Sequence, residues 1–177
     1  MKINTRFLTI TFMIILAMFS RLIPHLPNFQ AVSAVALFGA AQYRKKITAF
    51  VVPLAALFLS DVIMGKAFYS GWEWIYATFV LITLTGFILQ HKISVARIVI
   101  LSVVSSLLIF IVTDFEVWLT GGIYPHTVAG FTLCYESALP FLRYELLGDL
   151  FYSGLLFGAF YLAQLKIPTL QKQRIQQ

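Results

Sequence analysis

Residues 44–64 decide the fold of this chain, and they read RKKITAFVVPLAALFLSDVIM. The segment opens on three basic residues and continues as an apolar run that carries one acid, Asp61, near its end. A membrane-spanning helix needs about 20 mainly apolar residues to cross about 30 Å of hydrocarbon. Because basic loops are retained on the cytoplasmic side of a membrane, this segment predicts a helix that begins inside and runs outward.

The same pattern recurs along the rest of the chain. Ten of the 13 lysines and arginines fall in four short clusters, and two apolar runs separate each cluster from the next. This alternation predicts an all-α bundle of six transmembrane helices with both termini in the cytoplasm. The predicted spans are about 7–23, 29–43, 47–64, 74–90, 98–118 and 139–165. The second is either a tilted span or a partly re-entrant segment. The segments 21–30, 65–73 and 114–138 are then expected to be outer loops, and the last is long enough to fold back as a lid.

The composition indicates one integral membrane domain over residues 1–177. Hydrophobic residues make up 60% of the chain and charged residues 11%, whereas a soluble domain is about 25% charged. The net charge of +6 is spread over the predicted cytoplasmic loops and forms no single basic face, so no nucleic-acid partner is expected. We expect a multi-pass protein of the bacterial inner (plasma) membrane, surrounded by the lipid bilayer.

The N-terminal run needs a separate check because Lys2 and Arg6 precede apolar residues, as in a signal peptide. The next residues are Arg21-Leu22-Ile23-Pro24, which supply no small-x-small cleavage site. The run is therefore predicted to stay as the first span.

Several acidic residues are predicted to lie inside the membrane. Helical geometry places Asp61 about 22 Å from Lys46 and Asp149 about 26 Å from Lys166, while Glu145 lies one turn from Asp149 on the same face. Asp114 and Glu116 end the fifth span, in the same outer layer.

Ionisable groups in a span usually face the interior of the bundle and pair with one another. The pattern therefore predicts a polar cavity open to the outside and walled by Asp61, Arg143, Glu145 and Asp149. The alternative is an Asp61–Arg143 ion pair that only locks two helices together.

Other candidate residues lie near the same predicted layer. His25 and Asn28 belong to a loop stiffened by two prolines, and they either present donors to a ligand or form an interface turn. Trp74 and Tyr76 either stack on a ligand or belong to an aromatic interface belt.

Ala36 and Ala40 form a small-residue face in the second span. Such a face lets helices approach closely, and it serves either to dock a partner protein or to pack inside the bundle.

Enzyme signatures are absent from the sequence. It contains no HExxH zinc motif and no Walker A motif. The three histidines are far apart in sequence, and His91 is predicted to lie on the opposite side from the other two. We therefore expect no catalytic residues, no metal site and no cofactor.

Local motifs resemble a known group of membrane proteins. They are Arg21-x-x-Pro24-x-x-Pro27-Asn28-Phe29, Ala34-x-Ala36-Leu37-Phe38-Gly39-Ala40, Pro53 with Ser60-Asp61, and Pro140-Phe141 with Gly148-Asp149-Leu150. Together they resemble an uncharacterised bacterial membrane family related to the S components of energy-coupling factor (ECF) vitamin transporters. That resemblance implies a six-helix fold, a substrate site near the outer face, and a coupling membrane subunit with ATPases as partners.

Among S components, the solitary cobalamin transporters resemble this chain in arrangement. Their site His, Asp, Tyr and Arg would correspond to His25, Asp61, Tyr76 and Arg143. Their cobalt-binding cysteine has no counterpart in the stretch Gly71-Trp72-Glu73-Trp74, so the resemblance does not extend to cobalt–thiolate chemistry.

The resulting hypothesis is a transporter component that captures a small water-soluble vitamin or micronutrient, with a cobalamin-like ligand as one candidate. The other hypothesis is a non-enzymatic structural or partner-binding membrane protein without a small ligand. A cavity of roughly 300 Å³ or more at the outer face would favour the first hypothesis, and a filled bundle would favour the second.

Overall fold

The computed structural model describes residues 4–171, and this part of the chain contains helices and no strand. Three residues of the basic clusters, Lys2, Lys172 and Arg174, lie outside the described residues. The helices, in chain order, are α1 (Thr5–Phe19), α2 (Val32–Gln42), α3 (Lys46–Ile63), α4 (Trp72–Gly86), α5 (Ile88–His91), α6 (Val95–Thr120) and α7 (Val128–Lys166). Short 3₁₀ turns follow α1 at Ser20–Leu22 and α7 at Pro168–Leu170.

Five helical segments are long and apolar enough to cross a membrane. They are Thr5–Leu22, Lys46–Ile63, Trp72–His91, Val95–Thr120 and Val128–Lys166. These segments indicate a membrane protein and agree with five of the six predicted spans.

The second predicted span, 29–43, is not a full-length span. Only α2 is helical there, and its 11 residues cover about 16 Å, roughly half of the hydrocarbon thickness. Every residue of α2 is buried, as expected for a helix that is apolar all round. This short helix agrees with the re-entrant alternative, and the count of six spans stays a prediction. An apolar run predicts burial but does not distinguish lipid from protein as the surroundings.

Small residues let α2 pack at the centre of the bundle. A Cβ placed on Gly39 of α2 would lie 2.6 Å from the Cγ of Pro53 in α3. A Cβ on Gly86 of α4 would lie 2.7 Å from the Cβ of Ala40. Helices α3 and α4 therefore approach α2 more closely than a larger side chain at Gly39 or Gly86 would allow.

The predicted outer loop at 114–138 is mostly helical. Residues 114–120 continue α6, and α7 begins at Val128, so only residues 121–127 connect the two helices. The side chain of Thr127 caps α7 by accepting a hydrogen bond from the backbone N–H of Gly130 at 3.1 Å. Pro140 lies within α7 and does not end it, since membrane helices tolerate proline where neighbouring groups satisfy the freed backbone. A long lid is therefore absent from the described residues.

Charge divides the bundle into two ends. We call the end where α1, α3 and α6 finish the acidic end, because it carries Asp61, Glu73, Asp114, Glu116 and Glu136. The opposite end, the basic end, carries Arg6, Arg44, Lys45, Lys46, Lys92, Arg97 and Lys166. The remaining acids, Glu145 and Asp149, lie deeper along α7.

Candidate functional site

Arg21 and Asp61 form the centre of a partly buried polar network. The Nη1 of Arg21 lies 2.8 Å from Oδ1 of Asp61 and donates to the hydroxyl of Ser60 at 2.6 Å. The Nε of Arg21 donates to the side-chain oxygen of Gln30 at 2.9 Å. The hydroxyl of Tyr76 donates to the second oxygen of Asp61 at 2.9 Å. We call these five residues the Arg21–Asp61 network.

The network joins the end of α1 to α3 and α4. Both carboxylate oxygens of Asp61 have a donor, and its charge has a partner, so this buried acid is fully satisfied. In the adjoining loop, burial and the nearby Asp61 carboxylate raise the pKa of the Tyr69 hydroxyl. The arrangement has the character of a lock between helices.

The partner of Asp61 is Arg21, so the alternative of an Asp61–Arg143 ion pair is wrong. Arg143 is exposed, donates to the hydroxyl of Tyr144 at 2.9 Å and lies over that ring, with its guanidinium carbon 4.6 Å from the ring centre. Three basic residues lie outside the four clusters, and spacing alone does not decide which of them reaches Asp61. The 3₁₀ turn after α1 brings Arg21 to the acid instead.

A second buried acid, Glu145, lines a cavity between α6 and α7 at the acidic end. The cavity has a volume of about 190 Å³. Its lining comprises Asn28, Ile109, Phe110, Thr113, Asp114, Ala138, Phe141, Leu142 and Glu145. Glu145 is 4% exposed, and no described residue forms an ion pair or a hydrogen bond with its carboxylate. We call this region the Glu145 cavity.

Asp149 lies one turn further along α7 in a seam of serines. The hydroxyl of Ser106 donates to one of its carboxylate oxygens at 2.7 Å, while the other has no partner among the described residues. Ser33, in the first turn of α2, faces the same carboxylate, and the positive end of the α2 dipole favours a negative charge there. Deeper in the seam, Ser102 donates to Ser153 at 2.8 Å.

The first outer loop places Asn28 at the cavity and His25 away from it. Asn28 has a φ of 61°, a left-handed conformation that asparagine tolerates better than most residues. A Cβ on Gly148 of α7 would lie 3.0 Å from the backbone N of Gln30 and 3.1 Å from the Cα of Phe29, so the loop packs directly on α7. His25 is exposed, and its Nδ1 lies 2.8 Å from the carbonyl oxygen of Leu26.

The predicted site residues therefore fall into separate groups. Asp61 and Tyr76 belong to the Arg21–Asp61 network, and Asn28 and Glu145 belong to the Glu145 cavity. Trp74 is in neither group, and its ring contacts that of Phe115 at 5.9 Å between centres.

Ala36 and Ala40 have no exposed surface. Their burial is consistent with packing inside the bundle. It is not consistent with a face that docks a partner protein. They lie in α2, which is enclosed by its neighbours.

Sequence reasoning missed Arg21, Ser60 and Gln30 as members of the network. The available signal was the position of Arg21, a basic residue outside every cytoplasmic cluster and next to a predicted span. Among residues 4–171, no group of three or more His, Cys, Asp or Glu side chains is placed to hold a metal ion.

The fold and these buried charges define a helical membrane protein with ionisable groups inside its bundle. The chain matches DUF6580, a family of unknown function, over residues 1–170, and it belongs to that family. Neither the curated proteins nor the solved structures include a match to this chain. The prediction of an uncharacterised family is thus confirmed, and the resemblance to ECF S components stays a prediction.

Proposed function

We propose that this protein is the substrate-binding component of a membrane transporter and captures a small water-soluble nutrient at the acidic end of its bundle. The observation that carries this proposal is Glu145. Its carboxylate is almost fully buried, lines a cavity, and has no partner among the described residues. An ionisable group inside a membrane bundle is costly to bury, and such groups mark substrate and ion pathways.

The broken course of the chain beside the cavity supports the same function. Residues 23–31 contain no helix, and the short helix α2 follows them. Non-helical backbone at membrane depth is tolerated only where protein covers it or where it lines a cavity. Discontinuous helices form the substrate sites of many transporters, and here the irregular segment brings Asn28 to the Glu145 cavity.

The proposed orientation follows from the basic loops. With the basic end in the cytoplasm, the acidic end faces outward, both termini are cytoplasmic, and ligand reaches the cavity from outside. The proposed location is the bacterial inner membrane. A coupling subunit and ATPases of the ECF type would energise uptake, because the chain itself carries no P-loop motif.

The size of the cavity limits the ligand. Pockets for drug-sized ligands measure about 300–1,000 Å³, and the Glu145 cavity measures about 190 Å³. A ligand as large as cobalamin does not fit that volume, so the proposal narrows to a small micronutrient.

The second candidate function is a structural or partner-binding membrane protein without a small ligand. The Arg21–Asp61 network favours it, because every member of the network is satisfied within the protein and needs no ligand. The cavity volume below 300 Å³ favours it as well. The unpartnered Glu145 carboxylate is the observation that this alternative leaves unexplained.

Native mass spectrometry of the detergent-purified protein tests the proposal. The protein would be measured as isolated and after incubation with a panel of water-soluble vitamins, amines, acids and sugars. A stoichiometric small solute, displaced by excess of the same compound, is the expected result. Bound phospholipid alone, with no solute from the panel, would favour the structural alternative.

An Asp61→Asn variant separates the two buried acids in the same experiment. We expect lower thermal stability with unchanged solute binding, because Asp61 belongs to the lock between helices. Loss of solute binding in a folded Asp61→Asn protein would place the site at the network instead of the cavity.

A further inference from the structure

We propose that the ligand of the Glu145 cavity is a small organic ammonium ion. The inference rests on the proposed function and adds the chemical class of the substrate. Three features of the cavity carry it: an uncompensated buried carboxylate, two aromatic rings, and a small volume.

The titratable side chains that line the cavity are all acidic. Its lining contains two carboxylates, Asp114 and Glu145, and no lysine, arginine or histidine. Asp149 is the second acidic neighbour of Glu145, beside Asp114, but it faces Ser106 and the first turn of α2 and does not line the cavity. Because buried charges need a partner, the cavity is complementary to a cation and repels anions.

The apolar part of the lining fits an organic cation. Phe110 and Phe141 contribute rings, and Ile109, Ala138 and Leu142 contribute aliphatic surface. Aromatic faces attract ammonium groups, most strongly where water is excluded. The amide of Asn28 and the hydroxyl of Thr113 add acceptors for the N–H groups.

An inorganic cation fits the same lining less well. Hard cations such as Ca²⁺ take six to eight oxygen ligands, and within residues 4–171 no cluster of three metal-binding side chains exists. Most of the cavity wall is hydrocarbon. The volume of about 190 Å³ corresponds to about six water molecules at liquid density, which suits an amine with a short aliphatic or single-ring body.

Matched pairs of probes test the charge requirement on the full-length protein in detergent. Benzylammonium is compared with benzyl alcohol, and isobutylammonium with isobutanol, so that each pair differs mainly in charge. Binding is measured by isothermal titration calorimetry, with the shift in thermal unfolding midpoint as a second readout. Sodium chloride at the same ionic strength is the control for an inorganic cation.

The expected result is preferential binding of the ammonium member of each pair. In Glu145→Gln, ammonium affinity should fall by about thirtyfold or more, since removing one partner of a buried charge pair costs on this order. The matched control is Glu136→Gln, on the exposed surface of the same helix, which should bind like the wild type. If Glu145→Gln does not fold, Phe141→Leu replaces it and should weaken ammonium binding without changing alcohol binding.

Three outcomes would overturn the proposal. The first is equal affinity for the ammonium and alcohol members of a pair, and the second is a rise in the unfolding midpoint with sodium chloride as large as that with the ammonium probe. The third is an unchanged ammonium affinity in a folded Glu145→Gln protein. A neutral or anionic solute found by native mass spectrometry would leave the transport proposal standing and reject the ammonium class. Absence of any solute across the whole panel would reject the transport proposal itself.

Discussion

Two of the three buried acids among the described residues, Asp61 and Glu145, differ in their partners and not in their burial. Each residue is 4% exposed, and each belongs to a helix long enough to cross a membrane. Asp61 has an arginine, and both of its oxygens have donors. Glu145 has acidic neighbours and no donor among the described residues.

This contrast separates two uses of intramembrane charge. Breaking a satisfied pair leaves an uncompensated charge and strongly destabilises a protein, whereas neutralising an unpaired buried charge does not. Depth in the membrane therefore does not identify a ligand site. We propose that the absence of a protein partner marks the ligand site, and four substitutions test the distinction.

The largest effect is expected from Arg21→Met. It leaves the Asp61 carboxylate buried without its cation, so the protein should lose about 3–5 kcal/mol of stability, measured as unfolding in detergent. Arg143→Met, at an exposed arginine on α7, is the control and should remain close to wild type. The double variant Arg21→Met/Asp61→Asn should recover part of the loss. Equal losses in both single arginine variants would mean that the network is not a lock.

Tyr76→Phe should have the next largest effect. It removes one hydrogen bond to the Asp61 carboxylate and should cost about 2 kcal/mol, the usual size for a bond to a charged group. Solute binding at the Glu145 cavity should be unchanged in calorimetry. Tyr161→Phe removes an exposed hydroxyl and serves as the matched control. If Tyr76→Phe weakened solute binding without lowering stability, Tyr76 would belong to the ligand site and not to the lock.

Gly148→Ala should affect both regions by a smaller amount. The added methyl group lies 3.0 Å from the backbone N of Gln30, so the loop that carries Asn28 and Gln30 must shift. We expect a loss of about 1 kcal/mol from overpacking together with weaker solute binding. On the same helix, the methyl group added by Gly154→Ala meets no atom within 4 Å, so this control should change neither stability nor solute binding. If Gly148→Ala also changed neither, the loop would adjust to the added methyl group without cost.

The smallest effect on stability is expected from Glu145→Gln. Replacing a desolvated carboxylate by a neutral amide should leave the unfolding midpoint unchanged or raise it, because no ion pair is broken. Asp61→Asn is the matched comparison, with the same chemical change at the same exposed fraction, and it should lower the midpoint. A loss in Glu145→Gln as large as that in Asp61→Asn would reveal a structural partner for Glu145.

The sequence predicted the helical class and most of the long helices because both depend on local properties. Apolar length and the alternation of basic clusters are read along the chain, and they identified five segments that match the long helices. The second segment is a shorter helix than the predicted span, because the same apolar run suits lipid and protein surroundings equally. The loop at 114–138 was wrong because acidic residues look like loop signals, whereas Asp114, Glu116 and Glu136 lie within α6 and α7.

The predicted depth of three acids agrees with the structure, the alternative Asp61–Arg143 pair does not, and the ligand site itself stays a prediction. Asp61, Glu145 and Asp149 were expected to be buried, since helical rise alone gives their depth. The partner of Asp61 depends on how the turn after α1 is oriented, and spacing within one helix does not contain that information.

By itself, the sequence determined which ionisable side chains lie within the membrane. The depth of a residue follows from its number along the helix, and its polarity follows from its type. Only the tertiary structure decided which of those groups find a partner. Pairing joins residues distant in sequence, such as Arg21 and Asp61. Packing also leaves Glu145 facing a cavity that residues of α6, α7 and the loop residue Asn28 line. Partnering across helices is set by packing, and packing is a property of the whole bundle.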